Sequence, residues 1–543
     1  MQSGRYWARL GLVAVELSLV LLVIVLLIAL ARQMLTMSYL VMGHDTDYYL
    51  GVGREVVAGL VPYRDFSFEY PPLALAPIVL PVALASMFGT QLDSVAYVLV
   101  LALENVAIVG ATGLCLAWLA RRGWSARSPR ATFLVYLGLV CATPILFWRF
   151  DALPALLTVL ALCAVAARRP VATGLAIAAG ALTKLYPVVL LPVVLLRPLM
   201  ARSWREAAQL TLATIVPVIA TLGLLYVFVG SGVSGFLGYQ STRGVQLESV
   251  PSSVALVAHA LWGTPVTAFQ GFGSWQLDSP FLDQVGWLWP VTAAVMLLAL
   301  AVAAAATYRR DLREHGAVRP ASQVAVVAAA IVVTLLAYRV LSPQYVVWLL
   351  PFAALLPRRK LTLTLAICAL TLYIFPFGYE GLVHFTTDAI VALALRNALL
   401  LVLFVSLVAP GLSIAWRSIG RRTGRSPADR ALAAGYGANA YPVVSARGVP
   451  DAARARHRTR AGCALHRPGS ERPAAVPDQA AAARRPLTLG EDEPYFIAVA
   501  SSVCAPAHCL SNGTEDRVPE TVSESPILMW LPSGLASPSA SAT

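Results

Sequence analysis

Charge is what this sequence has least of: Asp, Glu, Lys and Arg make up only 13% of 543 residues, against 58% hydrophobic residues and a mean hydropathy of +0.70. A soluble core of that length cannot bury so much apolar surface, so the composition excludes a water-soluble enzyme and points to a polytopic membrane protein. Paired cysteines are missing as well. Of the seven cysteines, Cys115, Cys141, Cys163 and Cys368 lie in apolar runs and Cys463, Cys504 and Cys509 near the C-terminus, with no CxxC pair, so neither a zinc site nor a disulfide framework is indicated. Internal repeats are absent, and the apolar runs carry almost no charge apart from Glu16, Glu104 and Arg396. A transporter or a flippase of lipid-linked sugars, the main competing reading, would place ionisable groups near the membrane midplane and often show repeats.

The charges that are present mark topology. A net charge of +13 would suggest nucleic acid in a soluble protein, but here Arg and Lys cluster between apolar runs, as topology determinants and contacts to lipid phosphates do. Membrane lipids are therefore expected partners and nucleic acid is not. Arg5 and Arg9 precede the first apolar run, Leu10 to Leu30, which is too long for a signal-peptide core and is expected to remain as a helix with its N-terminus in the cytoplasm. Arg121, Arg122, Arg127 and Arg130 fit the cytoplasmic side only if the short, proline-interrupted run Leu73 to Phe88 does not cross, so it is expected to be a re-entrant or juxtamembrane helix. The remaining basic clusters then fall on one side, giving about 12 crossings in an all-α fold, with external loops and both termini cytoplasmic. The limbs Val171 to Thr183 and Tyr186 to Leu196 are short for a span and are expected to be broken or partly inserted helices. After Gly420 the composition turns to Arg, Ala, Pro and Ser without apolar period, so a disordered cytoplasmic tail over residues 420–543 is expected to follow a membrane domain over residues 1–415. The sequon at Asn512 is unused on that topology.

Against this background one polar stretch stands out, GHDTDYYLGVGREVVAGLVPYRDFSFEYPP from Gly43 to Pro72, with Asp45, Asp47, Arg54, Glu55, Arg64, Asp65 and Glu69. On the expected topology it is the first external loop, and Arg149, Asp151, Lys184, Arg243, Glu248, Arg339, Gln344 and His384 share its face. Any one charged loop is commonly just solvated. Convergence of carboxylates and cations from several connections, on the face where Arg and Lys are disfavoured, points instead to handling of an anionic substrate.

The same residues carry a resemblance. DTDYYLGVGREVVAGLVPYRDFSFEYPPLAL resembles the first external loop of the GT-C glycosyltransferases of glycosyltransferase family 87, the actinobacterial polyprenyl-phosphate-mannose-dependent mannosyltransferases. WRFDALPALL, GALTKLYPVVLLP, RGVQLESVPSS and LSPQYVVWLLP follow in the same order. The resemblance implies a plasma-membrane enzyme that inverts configuration while moving a hexose, mannose by this likeness, from a polyprenyl-phosphate sugar to a hydroxyl of a glycolipid or wall glycan acceptor. It also implies that the first-loop aspartate is the catalytic base, which matches Asp45, preferred by counting back from Arg54 and PYRDF, or Asp47. No cofactor is implied; Asp45 and Asp47 together could bind a divalent cation, but the resemblance favours metal-independent transfer.

The residue types suit that chemistry. One carboxylate must take the acceptor proton, worth about 10²–10⁴-fold in rate. The leaving phosphate needs cations rather than a second acid, and Arg64, Lys184, Arg243 and Arg339 are the candidates. Two have a plainer alternative: Arg64 as the ion-pair partner of Asp65 or Glu69, Lys184 as the polar tip of a helix hairpin shaped by Tyr186 and Pro187. Arg149 and Asp151 are expected to form structural ion pairs with Glu or Arg neighbours rather than to be catalytic, and Glu248, beside Gln246, either meets the acceptor or caps the helix near Pro251. Pro71 and Pro72 hold Glu69 and Tyr70 in an extended, rigid entry. Gln344 and Tyr345 complete the candidate set. Trp262, Phe269, Phe272, Trp275, Phe281, Trp287 and Trp289, of the long loop from Gly230 to about Gly286 and its end, are expected to line a sugar or prenyl groove or to form an interfacial belt, the commoner case.

Overall fold

The computed structural model describes residues 43–423, with side chains from 45 to 418. The expected first span with Arg5, Arg9 and Glu16, and the expected tail with its sequon, lie outside the described residues.

The polar stretch is not a loop at its start. Gly43–Val57 forms helix α1, followed by a tight turn and an extended run to Pro71. A 3-10 turn, Pro72–Ala74, leads into α2, Leu75–Met87, which is the short helix expected at that place. α2 lies flat on α1: a Cβ on Gly53 would stand 2.7 Å from Val82 Cγ2, so only glycine permits this approach.

Next come α3 (Ser94–Arg121) and α4 (Pro129–Cys141), started by Asp93 and Ser128, which accept hydrogen bonds from the amides of Ala96 and Ala131. Beyond a 3-10 turn at Pro144–Trp148 follow α5 (Ala152–Ala166), α6 (Pro170–Thr183), a turn at Tyr186–Val189, α7 (Leu190–Met200) and α8 (Trp204–Val229). The expected long loop proves largely folded: it holds α9 (Gly235–Thr242), α10 (Val250–Trp262), the hairpin β1 (Thr267–Gly271) with β2 (Ser274–Asp278), and α11 (Pro280–Val285). The hairpin turn Phe272-Gly273 has positive φ at both residues, 54° and 67°, as a two-residue primed turn requires. The described residues end with α12 (Leu288–His315), α13 (Pro320–Ala337), a 3-10 turn at Pro343–Trp348, α14 (Leu350–Leu355), α15 (Arg358–Leu372), α16 (Tyr379–Val383) and α17 (Thr387–Thr423), which continues past the expected end of the membrane domain.

The protein is therefore an all-α membrane protein with a single small hairpin among the described residues. Six helices have the length and apolar composition to cross a bilayer, and seven apolar helices of 10–17 residues are shorter than a span. α13 sits at the centre, apolar on every side and packed against α7, α12, α14 and α17, as expected of a helix with no solvent or lipid face. It also gives the bundle two distinct ends. Its residues Val333–Ala337, with Leu297 of α12, line one cavity; its residues Ala321–Ala329, with Leu300–Arg310 of α12, line another.

Close helix contact is set by small residues. A Cβ on Gly174 of α6 would meet the Leu210 carbonyl oxygen of α8 at 2.6 Å, whereas one on Gly138 of α4 meets nothing within 4 Å. Gly174→Ala should therefore lower the unfolding midpoint in detergent by about 1–3 kcal/mol equivalent, while Gly138→Ala leaves it unchanged or raises it. Equal midpoints for both variants would contradict the packing of α6 on α8.

Candidate active site

Four charged side chains form two ion pairs at one end of the bundle. Asp45, in the first turn of α1, meets Arg149 at 2.7 Å (Oδ2 to Nη2). Arg149 is buried in the extended link between the Pro144–Trp148 turn and α5, and its main-chain carbonyl accepts from Nδ2 of Asn105, a buried residue of α3. Asp151, at the N-terminus of α5, has no exposed surface; its Oδ1 accepts from Lys184 Nζ at 2.7 Å and from Trp348 Nε1 at 2.6 Å. Arg149 and Asp151 are thus each ion-paired, but with Asp45 and Lys184 rather than with the Glu or Arg neighbours expected.

Lys184 enters an aromatic box. Its ammonium lies 5.0 Å from the Phe150 and Tyr345 rings, 5.5 Å from Trp348 and 5.9 Å from Tyr70. Each face-on ring adds a modest attraction to the cation. Burial among them holds the Lys184 pKa below its ordinary value even with Asp151 against it. Trp348 is itself sandwiched, 3.9 Å from Tyr186 and 4.2 Å from Tyr345, so the box cannot shift one ring at a time. The position of Lys184 follows from the break after α6: a Cβ on Gly180 would lie 2.8 Å from the Pro187 ring, so TKLYP folds directly back on its own helix.

These groups border a cavity of about 520 Å³. Asp45, Tyr48, Glu69 and Tyr70 come from the first segment, Lys184 and Tyr186 from the break after α6, Tyr239 and Arg243 from α9 and its end, and Gln344, Tyr345 and Trp348 from the turn before α14. Arg243 donates to Ser274 Oγ at 2.9 Å and to the Phe272 carbonyl at 3.4 Å, lies 5.5 Å from the Tyr239 ring, and keeps a buried Nε with no hydrogen-bond partner. The hairpin tip therefore fixes the second cation of the cavity. Ser342 Oγ donates to Gln344 Oε1, and Tyr338 Oη to Gln240 Oε1.

Several expected residues stand elsewhere. Asp47 is exposed and accepts from Ser94 Oγ at 2.7 Å, away from the cavity and from Asp45, so the two carboxylates do not converge on one point. Arg54 donates to the Leu92 carbonyl, and Arg64 pairs with Asp65 at 2.9 Å on the surface. Arg339 is exposed and holds the Gln246 amide through its carbonyl. Gln246 and Glu248 are buried behind the cavity, bonded to each other at 2.8 Å, with Arg396 of α17 donating to the Glu248 carbonyl. Of Trp262, Phe269, Phe272, Trp275, Phe281, Trp287 and Trp289 only Phe272 lines the cavity, where Phe236 and Tyr239 join it.

A cavity with a half-exposed carboxylate at one edge, two cations and a wall of aromatic rings suits an anionic ligand that also carries a ring and an apolar portion. The model of glycosyltransferase family 87 matches residues 68–343, just over half of the chain. The chain belongs to glycosyltransferase family 87. Among curated proteins none matches it. The match makes this a membrane glycosyltransferase, and it spans Glu69, Arg149, Asp151, Lys184 and Arg243 while beginning after Asp45.

The sequence held signals for residues that the motifs did not name. On a helix Asp45 and Tyr48 are three apart and share a face that Asp47 does not. Tyr239 and Arg243 are four apart, and Trp348 lies three beyond Tyr345 on a helical turn.

Two outcomes test this geometry of the glycosyltransferase. Lys184→Met and Asp151→Asn should each cost about 3 kcal/mol by leaving one buried partner unpaired, and the double variant should recover most of that loss in denaturation midpoints; additive losses would show that the two groups do not act as a pair. Burial also pushes the Glu248 carboxyl up to about 7, against the pull of Arg396. The folded chain thus keeps a proton that the unfolded chain releases, and stability from this group falls as pH rises through that interval. Glu248→Gln should gain stability over wild type between about pH 5 and about pH 8. A constant difference across that range would argue against a buried carboxyl.

Proposed function

We propose that this glycosyltransferase moves a hexose, mannose in our reading, with inversion, from a polyprenyl-phosphate donor to a hydroxyl of a glycolipid or cell-wall glycan acceptor. Asp45 is the base. The acceptor oxygen attacks the anomeric carbon, its proton passes to Asp45, and the bond from that carbon to the phosphate oxygen breaks, so that polyprenyl phosphate leaves with the bonding pair. Lys184 and Arg243 take the developing charge on phosphate, and the rings around Lys184 keep water from competing with it. Arg64 and Arg339 are not part of this step. What supports the reading is one placement: Asp45 lines the cavity that holds both cations, while Asp47 is bonded to Ser94 outside it.

Orientation follows from charge. Arg127, Arg310, Arg319 and Lys360 belong to the opposite end of the bundle, so the positive-inside rule favours a cavity on the external face of the plasma membrane. Donor and acceptor are then both membrane-borne.

The test is transfer from radiolabelled polyprenyl-phosphate mannose to a crude glycolipid extract by the purified protein in lipid. Asp45→Asn should lose roughly a hundredfold or more in rate with donor binding intact, and Asp47→Asn should stay within a few-fold of wild type. Equal rates in all three proteins would remove Asp45 as the base; donor binding with no transfer by wild type would point to another acceptor or another sugar.

A further inference from the structure

A second cavity, about 460 Å³, lies at the end of the bundle away from Asp45 and is not used by the transfer step. Its wall is apolar, with Leu300 and Ala303 of α12, Val324 and Ala325 of α13, and Leu407 and Val408 of α17. α12 and α17 touch along it: a Cβ on Gly411 would stand 2.4 Å from the Ala303 carbonyl oxygen. At the same cavity stand three cations, Arg310, Arg319 and Lys360, and no carboxylate lines it.

The pairing of these cations is incomplete. Asp311, with no exposed surface, holds Arg319 Nε at 3.0 Å and Arg310 Nη2 at 3.3 Å, and ties the end of α12 to the start of α13 by accepting the Arg319 amide. Arg310 Nε is buried without a hydrogen bond, 3.8 Å from the exposed Glu314. Lys360, half-buried at the start of α15, makes no ion pair or hydrogen bond with its side chain among the described residues. Arg310 and Arg319 remain 32% and 46% exposed, so a ligand arriving from outside can reach them.

We propose that this cavity binds one anionic phospholipid, its phosphate held by Lys360, Arg310 and Arg319 and an acyl chain lying along Leu300, Val324 and Leu407. Charge complementarity selects this occupant. An apolar wall alone would accept any acyl chain, but three cations against Asp311 and the exposed Glu314 still leave an excess positive charge that a zwitterionic lipid does not neutralise. The apolar wall in turn favours a lipid over a free anion. At the end of the bundle that carries the basic clusters, an acidic lipid would fasten α12, α13, α15 and α17 together without entering the transfer chemistry.

The experiment is native mass spectrometry of the full chain in non-ionic detergent, titrated with phosphatidylglycerol and, separately, phosphatidylcholine of the same acyl chains. Phosphatidylglycerol should be retained at least several-fold more tightly. Lys360→Gln should weaken its retention about fivefold, the effect of removing one cation beside a lipid phosphate, and Ala325→Phe, which fills the cavity, should abolish the preference. Equal retention of the two lipids overturns the proposal, as does a preference unchanged in both variants. Displacement of phosphatidylglycerol by inorganic phosphate at equal concentration would also overturn it, because the acyl chain would then contribute nothing.

Discussion

A carboxylate with no exposed surface joins three separate segments of this protein. Asp151 stands at the start of α5, Lys184 after α6 and Trp348 before α14, and they meet only because one oxygen of Asp151 accepts from both of the others. An ion pair in contact gains on the order of 5 kcal/mol at an effective dielectric near 20, and desolvating each ion costs several kcal/mol. The pair therefore adds little net stability. Its effect is on geometry: any arrangement that separates Lys184 from Asp151 leaves a charge stranded among rings, so the box of Phe150, Tyr70, Tyr345 and Trp348 has one low-energy form. The cavity wall is as rigid as that constraint makes it.

From this junction the two ends of the bundle separate in character. At the cavity end, cations sit beside carboxylates and aromatics on the turns that break the short helices. At the other end, Arg127 donates to the Ala354 and Leu356 carbonyls and so caps α14, while Arg310 and Arg319 converge on Asp311. Helices shorter than a span fit this division. A break such as the one between α6 and α7 frees backbone groups and side chains inside the bundle, where they line a cavity instead of facing lipid. The shortness of these helices is thus what places Lys184 within reach of Asp151.

Much of this was legible in the sequence. Apolar runs located the helices, the five motifs located the segments that build the cavity, and the short proline-interrupted run after the polar stretch was recognisable as distinct from a span. What was not legible has identifiable causes. Gly43 to Val57 reads as a loop because its charges hide a helical period, and once it is a helix Asp45 and Asp47 face different ways. The hairpin at Thr267–Asp278 has Phe272 where a primed turn usually places Asn, Asp or Gly, so its turn signal is weak. Arg149 and Asp151 are neighbours in sequence, but they lie two apart on an extended-to-helix junction and each finds its partner from another element. Pairing across a fold is set by packing that local pattern does not encode.

Two aspartates at the cavity end illustrate how environment divides one residue type. Asp151 is fully buried, with one oxygen committed to two donors, so a proton has no route to it from an incoming hydroxyl. Asp45 is 28% exposed; its Oδ2 is taken by Arg149, and Oδ1 makes no hydrogen bond among the described residues. Only the second arrangement offers a carboxylate oxygen to a ligand in the cavity while the other oxygen is held in place. Arg149, buried and anchored by Asn105 through its own carbonyl, fixes the angle at which Asp45 meets the cavity, which under the proposed transfer orients the base. The proposed transfer, with a weakly basic phosphate as leaving group, requires one proton acceptor and no acid. Of the two aspartates, Asp45, exposed and held by Arg149, can meet that requirement, and Asp151, buried against Lys184, cannot.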